Sequence, residues 1–481
     1  MSIVSTISST MQPPRVARGA WRRQFIAGAL VLLALAPVAY RLSMKSPAAA
    51  AAGDGGVLIQ FMAWGNPEQL DCERAVIAKF NEHCKAQGKN ITVELFMPPV
   101  GGYPQKSLMM LASGTAPDTL KVDNYYFPSL AAKGYFYDLT DIAKNDPTFH
   151  ADDFHPVPMR ENLYRGRLYG LNCVFGGLVC YYNKDMFRQA GLADPYDLWK
   201  QGKWTWAAFD DACERLSRSD DSGRQISFGW MTYLIPNGPI PQSAILWLWR
   251  EGGDFLSPDF SRCVLDSPAS LRGMQRLRDD ILVRHVCPSP AQLTSNVYAF
   301  EAGNVAIDIE NCGMTPRFRA FCTFDWDIAP TPCDAGNSFT QTKGNQLVVP
   351  ATCKHPLEAW EWVKFYTSEE TELYLCGDRF RRSVPTRIAV LRDPRYLHAD
   401  RPPFHTDVFV DVVERGRGLP VDEAWNVWTT DEQRYVDRMI TQPNVSTEEL
   451  MGEATRAINE DLAREHARYA RYRDQRVSDA E

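Results

Sequence analysis

The sequence predicts an α/β fold in which mainly parallel sheets carry helices on their faces, built as at least two units. Strand-like and helix-like segments alternate along the chain, and that order is typical of a parallel sheet. With 481 residues, the chain is long enough for two or three domains. Hydrophobic residues make up 45% and charged residues 23%, as in ordinary soluble globular proteins.

The first 56 residues predict an export signal followed by a linker. Arg22 and Arg23 precede an apolar run over residues 26–40, and small residues follow over residues 47–53. A basic segment, a short apolar core and small residues are typical of a secretory signal. The arginine pair also resembles a twin-arginine export signal, and an uncleaved membrane anchor is the alternative. We therefore expect a periplasmic or extracellular protein.

The first α/β unit begins directly after the linker. The predicted elements are strands over residues 57–63, 91–96 and 118–123 and helices over residues 69–87, 103–113 and 128–133. Apolar residues recur at helical spacing in the helices, and glycines follow the first two. Parallel sheets bind ligands at the carboxyl ends of their strands, which places Trp64 and Asp123 at candidate positions.

A second α/β unit follows the first. The predicted elements are strands over residues 178–182, 305–309 and 346–349 and helices over residues 184–190, 204–216, 244–250, 357–367 and 447–473. Thr205 is a candidate cap for the second of these helices because its hydroxyl can accept from the first-turn N–H groups.

Charge and motifs exclude several classes of protein. Basic residues number 52 and acidic residues 59, and the net charge of −7 disfavours nucleic acid as a partner. The chain has no phosphate loop, Gly-x-Ser-x-Gly or His-Glu-x-x-His motif, so we expect no cofactor and assign no catalytic residue. His150 and His155 flank two aspartates in a predicted loop, which is not a persuasive metal site, and we predict none.

Twelve cysteines are present without a Cys-x-x-Cys pair. An exported protein can form disulfides, but the density is low and zinc would need paired ligands at short spacing. We expect mostly buried free thiols and leave open one or two bridges among Cys312, Cys322 and Cys333.

Seven short segments together resemble one family. They are Leu111–Asp118 (LASGTAPD), Tyr135–Asp141 (YFYDLTD), Gly166–Gly170 (GRLYG), Tyr181–Asp185 (YYNKD), Gly191–Leu192, Trp204–Trp206 (WTW) and Ala299–Ala306 (AFEAGNVA). In this order they resemble the extracellular solute-binding proteins of ABC importers, specifically the large sugar-binding family that includes maltose- and glycerol-phosphate-binding proteins. The resemblance covers about residues 57–462.

The resemblance implies a two-lobe periplasmic-binding-protein fold that closes around its ligand at a hinge. The implied ranges are 1–56 for signal and linker, 57–172 and 343–380 for lobe one, and 173–342 and 381–481 for lobe two. It also implies a monomeric receptor, not an enzyme, that carries a small-molecule carbohydrate to the transmembrane permease subunits of an ABC importer. Such receptors close because the ligand binds the closed state more tightly.

A sugar site needs flat aromatic platforms and side chains that accept and donate hydrogen bonds in fixed directions. The candidates in lobe one are Trp64, Asn66, Glu68, Asp123, Asn124 and Tyr126. The candidates that the resemblance adds elsewhere are Trp230, Gln242, Trp247, Glu310, Asn311, Asn345, Arg382, Trp425 and Trp428. Gly344-Asn345 resembles a turn that contacts ligand through its backbone, and Trp425 and Trp428 resemble a late aromatic platform. The family often has a tryptophan near Asn311 that this sequence lacks.

Other ligands and functions stay open at this point. A glycan hydrolase or lyase would use paired carboxylates such as Asp308 with Glu310 or Asp325 with Asp327. A glycerol phosphate would need several cations, of which only Arg382 stands out. A polyamine would need acids between aromatics, such as Glu68, Asp123 and Glu310. A glycan-binding protein that does not serve transport could share the fold.

Overall fold

The computed structural model describes residues 55–65, 67–97, 102–232, 240–293, 300–334 and 339–480. The predicted export signal, Asn66 and the side chains of Glu68 and Gln242 lie outside the described part. Within it, no helix is long and apolar enough to cross a membrane.

The strands and helices alternate along most of the chain. The strands are β1 Val57–Met62, β2 Ile91–Phe96, β3 Thr119–Asp123, β4 Leu163–Tyr164, β5 Arg167–Leu168, β6 Gly170–Asn183, β7 Arg218–Ser219, β8 Gln225–Met231, β9 Val305–Asn311, β10 Trp326–Ala329, β11 Thr340–Val348 and β12 Gly416–Gly418.

The helices begin and end as follows. They are α1 Pro67–Ala86, α2 Tyr103–Ser113, α3 Phe127–Ala132, α4 Thr140–Asn145, α5 Pro156–Glu161, α6 Lys184–Gln189, α7 Pro195–Lys200, α8 Trp206–Leu216, α9 Ile240–Arg250, α10 Pro268–Leu282, α11 Thr315–Phe321, α12 Pro356–Tyr366, α13 Glu369–Cys376, α14 Ile388–Leu391, α15 Pro394–Leu397, α16 Asp407–Glu414, α17 Trp425–Thr441 and α18 Thr447–Ala480. Short 3₁₀ turns occur at Ala151–Asp153 and Cys312–Met314.

The predicted alternation is confirmed, and the sheet is mixed. In lobe one, β2, β1 and β3 are parallel neighbours, as predicted. In lobe two, β8 and β9 are parallel. The antiparallel pairs involve mainly β6 and β11, which join the two groups of strands in the order β2-β1-β3-β11-β6-β9-β8-β7.

Strand β6 passes from one lobe to the other within its own length. Residues 170–177 pair with β11, and residues 178–182 pair with β9. Gly177 lies at the changeover, where a Cβ would be 2.6 Å from the Gln341 backbone oxygen and 2.8 Å from Val412 Cγ1. A side chain at this position would separate the crossing strands, so the close approach depends on glycine.

The buried apolar residues form separate clusters. One lies mostly in the lobe-two ranges and includes Trp204, Trp206 and the apolar face of α17, while the cluster that holds Phe61, Trp360 and Trp362 runs through both lobes. Thr205 caps α8 as predicted, since its hydroxyl accepts from the Ala208 N–H.

All twelve cysteines are free thiols. Nine of them are buried, and Cys322, Cys333 and Cys353 are half-buried. The bridge left open among Cys312, Cys322 and Cys333 is therefore not formed in this structure, and the thiols act as small apolar side chains.

Candidate functional site

The carboxyl ends of strands from both lobes meet beside the crossing of β6 and β11. Strand β3 ends at Asp123 and β9 ends at Asn311. The loop that follows Asp123 is tied to β11 because the Asn124 N–H donates to the Gly344 oxygen at 3.3 Å. Ends of parallel strands are where α/β proteins hold ligands. We refer to this region as the crevice.

Two aromatic rings meet across the crevice. Tyr125, in the loop after β3, stacks on Trp425, the first residue of α17, with ring centroids 4.9 Å apart and an interplanar angle of 7°. Lys343 Nζ lies 4.4 Å from the Tyr125 ring centroid. The Tyr125 hydroxyl is buried without a hydrogen-bond partner among the described residues. Trp425 is 2% exposed and Tyr125 is 5% exposed, so a ligand reaches the Trp425 face only by displacing Tyr125.

The charge of Lys343 acts on two buried carboxyl groups, Glu161 and Glu310, and Lys343 pairs with a third, Asp123; we call Asp123, Glu161 and Glu310 the carboxyl ring. Lys343 Nζ is 3.1 Å from Asp123 Oδ2. Burial raises the pKa of Glu310 to about 7, although the Asn311 N–H and Lys343 lower it. Burial raises the pKa of Glu161 to about 8, although hydrogen bonds from Asn172 and Gly344 lower it.

Glu161 is also part of an acceptor cluster with Asn172 and Gln346. The Asn172 amide donates to Glu161 Oε2 at 3.2 Å, and the Gln346 amide donates to the Glu161 backbone oxygen at 3.0 Å. Glu161 Oε1 and both amide oxygens are buried and lack partners among the described residues. Gly344 leaves room for this arrangement, since a Cβ there would be 1.7 Å from Asn172 Nδ2.

Trp64 lies at the end of β1, as predicted, and is half-buried. Its ring packs on Tyr103 with centroids 4.6 Å apart at 50°. The Tyr103 hydroxyl is held by the backbone oxygens of Met62 and Lys121, at 3.1 and 2.9 Å. The Tyr103 ring therefore supports one face of Trp64, and hydrogen bonds to β1 and β3 hold Tyr103 in place.

Asn124 and Tyr126 flank Tyr125 in the loop. Asn124 is 8% exposed, and its Oδ1 lacks a partner in the described structure. Tyr126 is half-buried and packs against the cores of both lobes. Tyr126 was predicted as a ligand contact from the sequence, and Tyr125 was not. Side-chain alternation beyond the end of β3 cannot distinguish them, because a loop has no fixed period.

Two asparagines that were predicted to bind ligand, Asn311 and Asn345, also have structural roles. Asn311 Oδ1 accepts from the Gly313 N–H at 2.9 Å and caps the 3₁₀ turn after β9. Asn345 lies inside β11, opposite Asp123 and Val174. The prediction of a turn at Gly344-Asn345 is wrong, because both residues continue the crossing strand; only a register shift between Asn345 and Gln346 interrupts the pairing.

Three predicted platforms lie inside the core of lobe two. Trp230 and Trp247 are at most 1% exposed and stack on each other with centroids 4.2 Å apart. Trp247 Nε1 donates to Asp280, and Trp428 Nε1 donates to Asp422, each at 3.2 Å. The structure does not present these rings to the crevice, because apolar surface surrounds them and the indole N–H groups of Trp247 and Trp428 donate to core acids; Trp230 Nε1 is buried without a partner among the described residues.

Arg382 is likewise held in the interior, where it is 7% exposed. Its guanidinium contacts Glu73 Oε1 at 3.0 Å, and Lys121 and the Tyr366 hydroxyl also bind Glu73. Burial alone would raise the pKa of Glu73, but Lys121 and Arg382 hold it below its usual range. The interpretation of Arg382 as a ligand-binding cation is therefore corrected to a buried ion pair.

One group in the described structure has metal-ligand residue types. Atoms of Asp422, Glu423 and His466 lie within 4.8 Å of one another. Their oxygens are already hydrogen-bonded: Asp422 accepts from His466 at 2.7 Å and Glu423 from Tyr164 at 2.6 Å. His155, of the predicted loop, accepts from the Val157 N–H and caps α5.

Comparison with known proteins gives the family. Residues 75–397, more than half of the chain, match the bacterial extracellular solute-binding proteins. The chain belongs to this family. It is therefore an exported solute-binding protein, and the resemblance predicted from the seven segments is confirmed.

A curated relative is the arabinooligosaccharide-binding protein of Bacillus subtilis, 23% identical over 297 residues, which are 60% of this chain and 64% of the relative. The match thus spans less than two thirds of that protein's length.

Two solved structures share the fold. The substrate-binding protein Lmo0181 of Listeria monocytogenes, in complex with cycloalternan, is 20% identical with a TM-score of 0.72 over 85% of this chain and 99% of that chain. UgpB of Mycobacterium tuberculosis, in complex with glycerophosphocholine, is 20% identical with a TM-score of 0.70 over 85% of this chain and 100% of that chain. The two-lobe fold of the solute-binding protein is confirmed, and it hosts more than one class of ligand.

Proposed function

We propose that this solute-binding protein captures a carbohydrate in the crevice and delivers it to the transmembrane permease subunits of an ABC importer, without converting it. The observation that carries the proposal is the combination of Trp425, an aromatic ring at the lobe boundary, with the polar strand ends around it. Aromatic faces match the C–H faces of a sugar, and fixed polar groups match its hydroxyls. The arabinooligosaccharide-binding relative supports the same class of ligand.

The proposed ligand contacts are a subset of those predicted from sequence. They are Trp64, Asp123, Asn124, Tyr126, Glu310, Asn311, Asn345 and Trp425, to which the geometry adds Tyr125, Glu161 and Lys343. Asn66, Glu68 and Gln242 remain predictions outside the described side chains.

A glycerophosphodiester is the second candidate, since UgpB was solved with one. A phosphate ligand calls for cations free to bind it. Among the described residues, Lys343 is the cationic side chain that lies in the crevice, and it is paired with Asp123 at 3.1 Å. The carboxyl ring also repels phosphate, so the carbohydrate is the better fit.

The test is a thermal-shift screen of the full chain against sugars, sugar acids, polyols, glycerol phosphates and polyamines. Ligand at about a hundredfold excess over Kd stabilises the native state by about 2.7 kcal/mol. We expect a shift with a carbohydrate that is lost in Trp425→Leu and kept in Trp199→Leu, where the half-buried ring packs beside Lys200. A shift with glycerol phosphates alone, or release of product from a glycan, would contradict the proposal.

Export through the twin-arginine route has its own test. Residues 1–56 fused to a reporter that is active only outside the cytoplasm should be exported, and replacing Arg22 and Arg23 with lysine should block export. Undiminished export of the lysine pair would indicate the general secretory route, which tolerates any basic residues before the apolar run.

A further inference from the structure

The atoms left unpartnered in the crevice are almost all acceptors. The Gln346 amide nitrogen donates to a backbone oxygen, which only accepts, so its side-chain oxygen must face away from that bond. The same holds for Asn172 when Glu161 is ionised. Asn172 is 3% exposed and Gln346 0%, and neither oxygen has a partner among the described residues.

Charge favours the same kind of ligand group. Asp123, Glu161 and Glu310 carry three carboxyl groups, whereas Lys343 supplies one ammonium group and is bound to Asp123. Burial keeps protons on Glu161 and Glu310 in the empty crevice, because an ionised carboxylate without a partner is costly in a buried site. A cationic group on the ligand would remove that cost and would pair with Glu161 Oε1, which is buried and has no partner among the described residues.

A neutral sugar does not match this set of atoms well. A hydroxyl group donates and accepts, so a site for it offers both kinds of partner. An ammonium group only donates, and it suits a cluster of acceptors whose carboxyl groups ionise when a cation binds.

We propose that the crevice binds a carbohydrate that carries a protonated amine, an amino sugar, with its ammonium group held by Glu161, Asn172 and Gln346. This inference rests on the proposed function, because it names the class of carbohydrate that the same crevice captures. The sugar ring lies against Trp425, and Asp123 and Glu310 supply further acceptors. Lys343, which is paired with Asp123, disfavours an extended polyamine with several charges.

The experiment uses matched sugars that differ at one substituent. The full chain is titrated calorimetrically at about pH 6.5, where a sugar amine is protonated, with glucose and galactose derivatives and β-1,4 disaccharides carrying hydroxyl, amine or acetamide at the 2-position. We expect at least one amine form to bind about tenfold more tightly than its hydroxyl and acetamide forms. Glu161→Gln should reduce that preference to about twofold or less, whereas Glu82→Gln, at an exposed position of α1, should keep it.

A second measurement guards against misfolding of the Glu161 variant. Titrations of the unaltered chain in buffers of different ionisation enthalpy should show proton release on binding the amine form and none on binding the hydroxyl form, because burial holds protons on Glu161 and Glu310 until a cation arrives. Equal binding of amine and hydroxyl forms would overturn the inference and keep the carbohydrate receptor. Binding of spermidine, or of nothing in the panel, would overturn both.

Discussion

Glu73 illustrates how a single buried side chain depends on distant partners. It is 0% exposed and binds Lys121, Arg382 and the Tyr366 hydroxyl, which come from β3, the segment after α13 and the end of α12. Two cations and one carboxylate are thus buried together. Loss of the Glu73 carboxylate would leave Lys121 and Arg382 buried without an opposite charge.

Glu73→Gln should lower the free energy of unfolding by about 3–5 kcal/mol, because Lys121 and Arg382 then remain buried without an opposite charge. Urea denaturation measures the change. The matched control is Glu82→Gln on the same helix, where an exposed side chain should change stability by less than about 0.5 kcal/mol. Equal effects at the two positions would contradict the buried ion pair.

Glu161 makes the unfolding free energy of the ligand-free protein depend on pH, and the direction of that dependence follows from its pKa. Its pKa is about 8 in the folded protein, above the value of 4.5 for an unperturbed glutamate, because burial outweighs the hydrogen bonds from Asn172 and Gly344 and the charge of Lys343. Asp123 adds to the rise. A raised carboxyl pKa stabilises the folded state fully below the unfolded pKa and loses that contribution as pH rises through the folded pKa.

We therefore expect the unfolding free energy to fall between about pH 4.5 and pH 8, with a slope of at most about 1.4 kcal/mol per pH unit from this group. Glu161→Gln should flatten that part of the curve, as measured by urea titrations at several pH values. Glu310, whose pKa is about 7, contributes in the same direction, so a residual slope should remain. An unchanged slope would mean that Glu161 titrates normally.

At the scale of elements, the two crossing strands position the site. Strand β6 carries Asn172 in its lobe-one part and pairs with Glu310 of β9 in its lobe-two part. Strand β11 carries Lys343 and Gln346 between them. Because β6 and β11 both run through the two lobes, a change in the distance between these strands alters the crevice and the hinge together.

Gly177→Ala should therefore destabilise the chain by about 1–3 kcal/mol, since the new Cβ would meet the Gln341 backbone oxygen at 2.6 Å. Gly418→Ala, in β12, is the matched control, because nothing lies within 4 Å of a Cβ there. Chemical denaturation of both variants gives the comparison. If the two alanine variants were equally stable, the close packing at the crossing would be refuted.

At the scale of the whole molecule, several contacts join the two predicted lobes. Tyr164, in the β4–β5 hairpin of lobe one, donates to Glu423 Oε1 at 2.6 Å just before α17 of lobe two. Lys133 lies 5.6 Å from the ring of Tyr469 on α18. Together with the Tyr125–Trp425 stack, these contacts join parts of the chain that the sequence assigns to different lobes.

Tyr164→Phe should weaken ligand binding by roughly tenfold, or about 1.4 kcal/mol, because loss of a hydrogen bond to a carboxylate shifts the lobes toward the open state. Titration calorimetry with the ligand found in the screen measures the affinity. Tyr374→Phe, on α13 away from the lobe boundary, should bind normally. Unaltered affinity in Tyr164→Phe would show that the contact does not contribute to closure.

The sequence determined the elements and the family. Periodicity predicted α2 over residues 103–113 and β2 over residues 91–96 with the observed bounds, because helix and strand periods are local properties. The seven ordered segments predicted the fold, since turns and strand ends impose their residues locally. The end of β3 at Asp123 was predicted from its strand pattern and is confirmed, whereas the role of Trp425 as an aromatic platform was implied by the resemblance and remains a prediction. The domain ranges remain a prediction.

Tertiary structure alone decided which polar and aromatic side chains face the crevice. Arg382 and its partner Glu73 are 309 residues apart, and Gln346 reaches the Glu161 backbone across 185 residues. No local pattern encodes such pairs. No local pattern distinguishes the two possible roles of Trp230 and Trp247 either, because a tryptophan can equally form a ligand-binding platform or fill a core. Burial is a property of the assembled fold, and only the packing of β6, β11 and α17 separates the two outcomes.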